Sequence, residues 1–435
     1  MVHNQKISPL SAIIININVM LGAGLFVNTA ILAQRAGPLG FLGYAITGLL
    51  LFPLILCIAE LIRLLPQGGF YGYGATAFSP LIGFISSWSY FTAKLASAGV
   101  TLHTAMLLLQ QLLPFLQSTS TLTLDFIVLG SFITLNMHNV KTGSSIQSFF
   151  MGAKLIPLFT AIFGGLWLFK GEYFNPSNLI FEGIPSTIPL VLYATIGFEA
   201  AVSLSSSLEN PEKNGPRVII TSYSIVILFA CLYQLFFYGA LGQQLSMLAD
   251  FRQSFAILFD QLFGYGSLGK YMTSLTYLTI ASSALGGCYG ILFSNHWNLY
   301  KLAENKQIFG YHFLRALNKN HIPWLCVLTE GIICLIYLIT TKGTLIILQQ
   351  ISGLGTVITY TLSVLSLMYL KRINAPVKTP WWLMALGLSN CIILVTSCIR
   401  GLLMSNSHTL IGLAILMAIG ITAFVLAKLQ RNQST

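Results

Sequence analysis

The chain has 435 residues, 55% of them hydrophobic and 8% charged, with a mean hydropathy of +0.78. Soluble domains carry roughly 25% charged residues, so this chain could not clothe two or three water-facing globules. A soluble enzyme, a disordered chain and a coiled coil are excluded, and an all-α, multi-span membrane protein remains. The net charge of +11 does not indicate nucleic acid as a partner, because the basic residues sit singly between apolar runs and not in a dense patch. The bilayer is the partner that composition demands.

A membrane helix needs about 20 mostly apolar residues. By that template twelve spans are expected. The polar start MVHNQKISP leads into an apolar run without a cleavage site and is read as the first retained span. The first five spans run about 10–33, 39–64, 82–114, 122–138 and 145–169. The next five run about 184–207, 217–242, 270–300, 322–341 and 344–370, and the last two about 380–403 and 408–428. An even number of spans puts both termini on one side. With the termini inside, inner loops and tails hold fourteen Lys and Arg against six outside, with Lys94 and Lys154 left within helices. The positive-inside rule therefore places both termini in the cytoplasm of a cell (inner) membrane protein.

No stretch is long or polar enough for a separate soluble domain, so residues 1–435 form one membrane domain. The segment 242–269 mixes apolar and polar residues and is expected to form short helices over the outer mouth. The seven cysteines are odd in number and lack CxxC spacing, which indicates neither a disulfide framework nor a zinc site. His103 and His138 are single and lack metal-ligand spacing. No cofactor or metal motif is present.

Two spans carry unusual punctuation. The first reads ININVMLGAGLFVNTAIL, with Gly22 and Gly24 flanking Ala23 in mid-span, and the sixth has Gly197 two residues before Glu199. Glycine weakens a helix by about 1 kcal/mol against alanine, and an unwound backbone in the membrane needs partners such as substrate or water. Close helix packing is the alternative, since small residues are common at membrane interfaces. Interruptions in the first and sixth of ten spans match an inverted repeat of five plus five, the arrangement that points to a midplane binding site.

These residues resemble a known family. The stretches GAGLF, AELIRLLPQGGFYGYGATAFSPLIGFISSW and IGFEAAVSLSSSLENPEKNGPRVII are similar to the amino acid–polyamine–organocation (APC) permeases. Their pattern has a small-residue G-x-G loop in helix 1 and an acidic residue before P-x-G-G-x-Y-x-Y after helix 2. A G-F-E in helix 6 is followed by N-P-x-x-x-x-P. The resemblance implies the five-plus-five fold with two further helices: repeat 1 about 10–169, repeat 2 about 184–370, helices 11–12 about 380–428. It also implies alternating-access transport of amino acids or amines, proton-coupled or by exchange. Arginine/agmatine-type antiporters and proton-coupled amino acid permeases are the nearest subfamilies.

Carried over residue by residue, the resemblance assigns Met20, Gly22, Ala23 and Gly24 to the stretch that holds a substrate carboxylate. A half-helix N-terminus suits an anion. Tyr193, Ala194, Thr195, Ile196 and Gly197 match the stretch that contacts the substrate's amino group and side chain. Tyr193 stands where the arginine-type antiporters have a gating Trp; otherwise it is an interior aromatic. Cys288 replaces a Trp of those antiporters and removes a face for a guanidinium, which argues against arginine.

Lys94 falls at a substrate-facing position deep in the third span, where a lone cation costs about 2.5–3.5 kcal/mol on insertion scales. Pairing with Glu60 or Glu199, or neutralisation by burial, is the alternative. Glu199 is either a proton or gate switch or a structural ion-pair member, and Glu60 is expected to pair locally with Arg63. Lys154 resembles a lysine carried by proton-coupled members of the family; at the place where sodium-coupled relatives hold a cation, its ammonium would bridge helix 1 carbonyls and hydroxyls such as Ser282 or Ser283, and snorkelling to the surface is its alternative.

The expected partners are thus a small amino acid or amine, protons, lipid and a second copy of the chain. No HExxH, GxSxG or P-loop motif points to an enzyme or a primary pump. A transporter-derived sensor, or a channel-like protein without carrier activity, is the remaining alternative.

Overall fold

The computed structural model describes residues 6–433 except 139, 176–178, 249–250 and 406–407, and the side chains of Ala23 and Lys154 lie outside the described ones. Helices follow one another along the chain. They are α1 (Pro9–Met20), α2 (Ala23–Ala36), α3 (Gly40–Leu64), α4 (Gly69–Ala77), α5 (Pro80–Leu112), α6 (Thr121–Asn136), α7 (Val140–Trp167), α8 (Ile184–Thr195) and α9 (Ala200–Ser203). Then come α10 (Pro211–Leu241), α11 (Gln243–Ser246), α12 (Ser254–Phe263), α13 (Ser267–Glu304), α14 (Tyr311–Leu314), α15 (Trp324–Thr341), α16 (Leu345–Arg372), α17 (Trp381–Ser405) and α18 (His408–Gln433). The β-pairing among the described residues is one isolated parallel bridge, Ile7 with Leu208.

Nine described segments are long and apolar enough to cross a membrane. One of them, Gly24–Leu64, has 41 residues. At 1.5 Å per residue it would be about 60 Å long, twice the hydrocarbon thickness, and is therefore two spans. The 3₁₀ turn Gly37–Leu39, with Gly37 at φ +55°, separates them. Shorter apolar helices at Pro9–Met20, Thr121–Asn136 and Leu155–Trp167 fall within the expected first, fourth and fifth spans. The expected first and sixth spans are each split, as α1/α2 and α8/α9. The 242–269 segment forms the short α11 and α12, as expected.

Local sequence explains where several helices start. Pro9 and Pro80 open α1 and α5 behind Ser8 and Ser79, whose hydroxyls accept from the backbone N–H groups of Ser11 (3.2 Å) and Ile82 (3.4 Å). Asn210 in the left-handed region (φ 44°) turns the chain into Pro211 and α10.

Burial separates a centre from a rim. In α5, 89% of the most apolar window is buried inside the protein, against 17% in α18. α5 packs on α13 and α16, while α1 packs on α7, α10 and α13. The exposed side of α18 carries Ile415, Ile419, Ile421, Val425 and Leu429, a face suited to lipid. Glu60 and Arg63 pair as expected, through 2.7 and 2.9 Å contacts. They also hold the segment between α16 and α17: Arg63 donates to the Pro376 carbonyl at 2.6 Å, and Glu60 accepts from the Lys378 backbone N–H.

Candidate functional site

The two interruptions meet in the interior. α1 ends at Met20 and α2 begins at Ala23, so only Leu21 and Gly22 are unwound. Gly22 is the N-cap of α2 and offers no side chain to the helix N–H groups, which the helix itself cannot satisfy. α8 ends at Thr195, Ile196 turns extended (φ −75°, ψ 150°), and the chain passes Gly197 at φ +134° before α9. That φ favours glycine. A Cβ at Gly197 would lie 3.0 Å from the Met20 backbone nitrogen. The backbones of the two breaks therefore touch.

Neighbouring helices satisfy the freed groups. Asn16 Nδ2 on α1 donates to the Phe198 carbonyl at 2.6 Å, which holds the unwound part of the sixth span. Ser283 Oγ on α13 donates to the Leu21 carbonyl at 3.2 Å. Gly287 of α13 lies against Gly22, and a Cβ at Gly22 would come 3.2 Å from a Thr101 methyl on α5. A Cβ at Gly24 would sit 2.8 Å from the Tyr193 ring and 3.1 Å from the Ala194 Cα. Close packing of α2 on α8 is thus a reason for glycine at position 24, alongside unwinding at position 22.

Lys94 has a partner. Its Nζ lies 2.8 Å from Glu199 Oε1, with the two side chains 3% and 0% exposed. Glu199 Oε2 accepts from the Gly197 backbone N–H at 2.9 Å. The hydroxyls of Tyr90 on α5 and Tyr360 on α16 also face this carboxylate, and the Lys94 ammonium stands 5.7 Å from the centre of the Tyr90 ring, within cation–π range. Charge is balanced within the pair, so Lys94 does not stand as a free cation beside the breaks. Of the two partners weighed from sequence, the structure selects Glu199; Glu60 is engaged with Arg63.

The other expected site residues divide. Met20, Tyr193, Ala194 and Ile196 are buried around the breaks, and Tyr193 shares a hydrogen bond with Ser97 of α5. The Thr195 hydroxyl donates to the Val191 carbonyl of its own helix at 2.8 Å, so it is occupied within the turn. Cys288 is buried on α13 next to Thr101. Ser282 is half-buried, beside the Ser283 that bonds the first span. Lys154 lies on α7, which packs against α1 and α13; its side chain is outside the described ones.

Sequence reasoning missed several participants: Asn16, Ser97, Thr101, Tyr90 and Tyr360. It also missed two polar bonds made by α13: Asn298 Nδ2 donates to Ser203 Oγ of the short α9 at 2.9 Å, and Asn295 Nδ2 to the Phe91 carbonyl of α5 at 3.0 Å. Polar side chains spaced three apart within an apolar helix were the available signal. Such residues face the bundle interior.

The protein is a polytopic helical membrane protein whose first and sixth spans are interrupted at one shared place, an architecture of secondary transporters. Comparison with known proteins gives the family. The profile described as "Amino acid permease" matches residues 7–426. The chain is 24% identical over 333 residues to the aromatic amino acid transport protein AroP of Escherichia coli O6:H1, covering 72% of this chain and 69% of that protein. It is 25% identical over 381 residues to the amino-acid permease RocE of Bacillus subtilis, covering 82% and 79%. The chain belongs to the amino acid permease family, within the APC superfamily that its motifs resemble.

Proposed function

We propose that the protein carries amino acids across the cytoplasmic membrane by alternating access, with both termini in the cytoplasm and with substrate held at the two breaks. The observation that supports this most is the contact between them: Gly197 at φ +134° against the Met20 backbone, beside an uncapped α2 N-terminus. The positive end of α2 suits an α-carboxylate, and the negative end of α8 suits an α-ammonium. A zwitterion lying across the gap meets complementary charge at both ends. Met20, Tyr193 and Cys288 would then surround its side chain.

The Lys94–Glu199 pair is internally neutral, so it adds no net charge to attract an acidic side chain or repel a basic one. Neutral amino acids are the preferred class, and the relatives named for aromatic amino acids make phenylalanine, tyrosine and tryptophan the first to test. Transport is coupled to protons or runs by exchange. Lys154 is the candidate for coupling, with α7 packed on the two helices, α1 and α13, that it would bridge. Proton release would loosen that contact and free the first span to move.

Uptake of labelled amino acids into proteoliposomes tests the reading. Saturable, sodium-independent accumulation of a neutral amino acid, driven by an inward proton gradient or by internal amino acid, is expected. Lys154→Ala should lose gradient-driven accumulation while retaining binding. Single-channel current steps, or no binding of any amino acid, would overturn the carrier. Normal accumulation by Lys154→Ala, or dependence on sodium, would overturn the coupling role.

A further inference from the structure

A second pair of ionisable side chains lies away from the breaks, where α13 packs on α15. His296 Nδ1 and Glu330 Oε1 are 3.7 Å apart, and the two side chains are 1% and 0% exposed. His296 Nδ1 also lies 2.9 Å from the Leu292 carbonyl oxygen. A carbonyl only accepts, so Nδ1 carries a hydrogen and donates it there. The basic nitrogen of a neutral imidazole is then Nε2. Neither Nε2 nor either carboxylate oxygen of Glu330 has a hydrogen-bond partner among the described residues.

An ionised carboxylate with no donor, inside an apolar interior, is expensive. Two arrangements leave no uncompensated charge: a protonated Glu330 beside neutral His296, or an ionised Glu330 beside imidazolium. Both hold one proton more than the ionised carboxylate with a neutral ring. The other ionisable groups facing Glu330 are Cys288 of α13 and Cys326 and Cys334 of its own helix. Asp125 on α6 lies beyond Cys288 and Cys334, and His103 of α5 holds it at 2.6 Å. α16, also packed on α15, carries its two charges, Lys371 and Arg372, in its last turn. α14, packed on α15 as well, carries His312, and Lys94 of α5 is held by Glu199; among the described residues His296, at 3.7 Å, is the basic group within ion-pair range of the Glu330 carboxylate, and a cation only as imidazolium.

We propose that His296 and Glu330 together form a proton-binding site, separate from the Lys94–Glu199 pair, that holds one exchangeable proton within the membrane. α13 links this site to the breaks. The helix carrying His296 also carries Ser283, bonded to the Leu21 carbonyl, and Gly287, packed on Gly22. Nine residues separate Gly287 from His296, about 13 Å along a helix. Gain or loss of the proton changes the charge between α13 and α15, and α13 is the helix that braces the first break. Proton occupancy and the position of that brace are therefore linked. The linkage to transport rests on the carrier reading; the proton site itself does not.

Two measurements separate them. Infrared difference spectra between acid and alkaline pH, on the full chain in lipid nanodiscs, should contain a protonated-carboxyl band in the first arrangement or imidazolium and carboxylate bands in the second, and these should be lost or shifted in Glu330→Gln and in His296→Gln. A spectrum unchanged by both variants would overturn the site whether or not any substrate is carried. In proteoliposomes, Glu330→Gln should move the pH of half-maximal uptake by at least one unit while substrate affinity at the optimum stays within about threefold, 0.65 kcal/mol at most. An unmoved pH profile would overturn the link to transport. If Glu330→Gln does not fold, the His296→Gln spectrum decides the site and its uptake profile decides the link.

Discussion

The two breaks differ in how they are held. In the first span two residues leave the helix, and the groups that satisfy them come from elsewhere: Ser283 of α13 bonds Leu21, and Thr101 and Gly287 close around Gly22. In the sixth span the break takes one bond from outside, Asn16 of α1 to the Phe198 carbonyl, and also carries its own fixings, with Gly197 at φ +134° and Glu199 turned back onto the Gly197 N–H. Only there is a full charge involved, and Lys94 on α5 balances it. The first break is thus a light interruption braced from outside. The sixth is a locally specified loop tied to a buried ion pair. Perturbing the sixth should be costly for the whole protein, and perturbing the first should act mainly on its movement.

The largest effect is expected from Lys94→Ala. Removing one member of a buried pair leaves the other uncompensated and typically costs about 3–5 kcal/mol. Thermal unfolding in detergent should show a clear loss of stability. The double variant Lys94→Met with Glu199→Gln should recover most of it without recovering full transport. If Lys94→Ala unfolds like the wild type, the pair does not anchor the sixth break.

Gly197→Ala follows. An alanine at φ +134° enters a region essentially reserved for glycine, a strain of order 1–3 kcal/mol, and its methyl would press on the Met20 nitrogen. Uptake should fall at least tenfold, with a smaller loss of stability than in Lys94→Ala. Normal uptake by this variant would mean that the contact between the breaks is dispensable.

The contrast between the breaks also marks what the sequence could reveal. Runs of about 20 apolar residues made the spans legible because the bilayer imposes their length. Glycine in mid-span located both breaks: Gly197 takes a φ of +134° that favours glycine, whereas Gly22 and Gly24 answer to close packing against Thr101 and Tyr193. Partner choice was less legible. Lys94 stood out as a cation in an apolar helix, but its pairing with Glu199 depends on how α5 packs beside the sixth span, some hundred residues away. His103 looked solitary for the same reason, and its partner Asp125 lies on another helix. Glu330 drew no attention, because a lone carboxylate in a span says nothing of the histidine on the helix beside it. Asn16 was a common polar residue until the fold aimed it at the unwound Phe198 carbonyl, and Ser283, named from sequence only as a partner for Lys154, bonds the Leu21 carbonyl. Helix-length periodicity fixes which residues share a face, not which faces meet.

An intermediate effect is expected from Asn16→Ala, which frees the Phe198 carbonyl and removes a second bond to Ser222 Oγ at 3.2 Å. Polar contacts within membrane bundles average about 0.6 kcal/mol and reach about 1.7. Asn16 donates to unwound backbone as well as to a side chain, so a value toward the upper end is expected by unfolding titration. A loss as large as that of Lys94→Ala would make the first span, and not the ion pair, the main support of the sixth break.

The smallest effect should come from Ser283→Ala. It removes one neutral hydrogen bond, worth about 0.5–1.5 kcal/mol, and leaves the Leu21 carbonyl beside a methyl group. The buried serine side chain is small, so little packing is lost, and thermal stability should change less than in any variant above. Transport is the more sensitive readout. If α13 braces the first break through this hydroxyl, loosening it should change the balance between conformations and alter the uptake rate by about two- to fivefold, while equilibrium binding of substrate stays close to the wild type. Ser282→Ala supplies the comparison, because that neighbour is half-buried and its hydroxyl is not the one bonded to Leu21. Equal effects from the two variants would show that the hydroxyl bond does not brace the break. The packing of Gly287 on Gly22 would then be the contact through which α13 governs it.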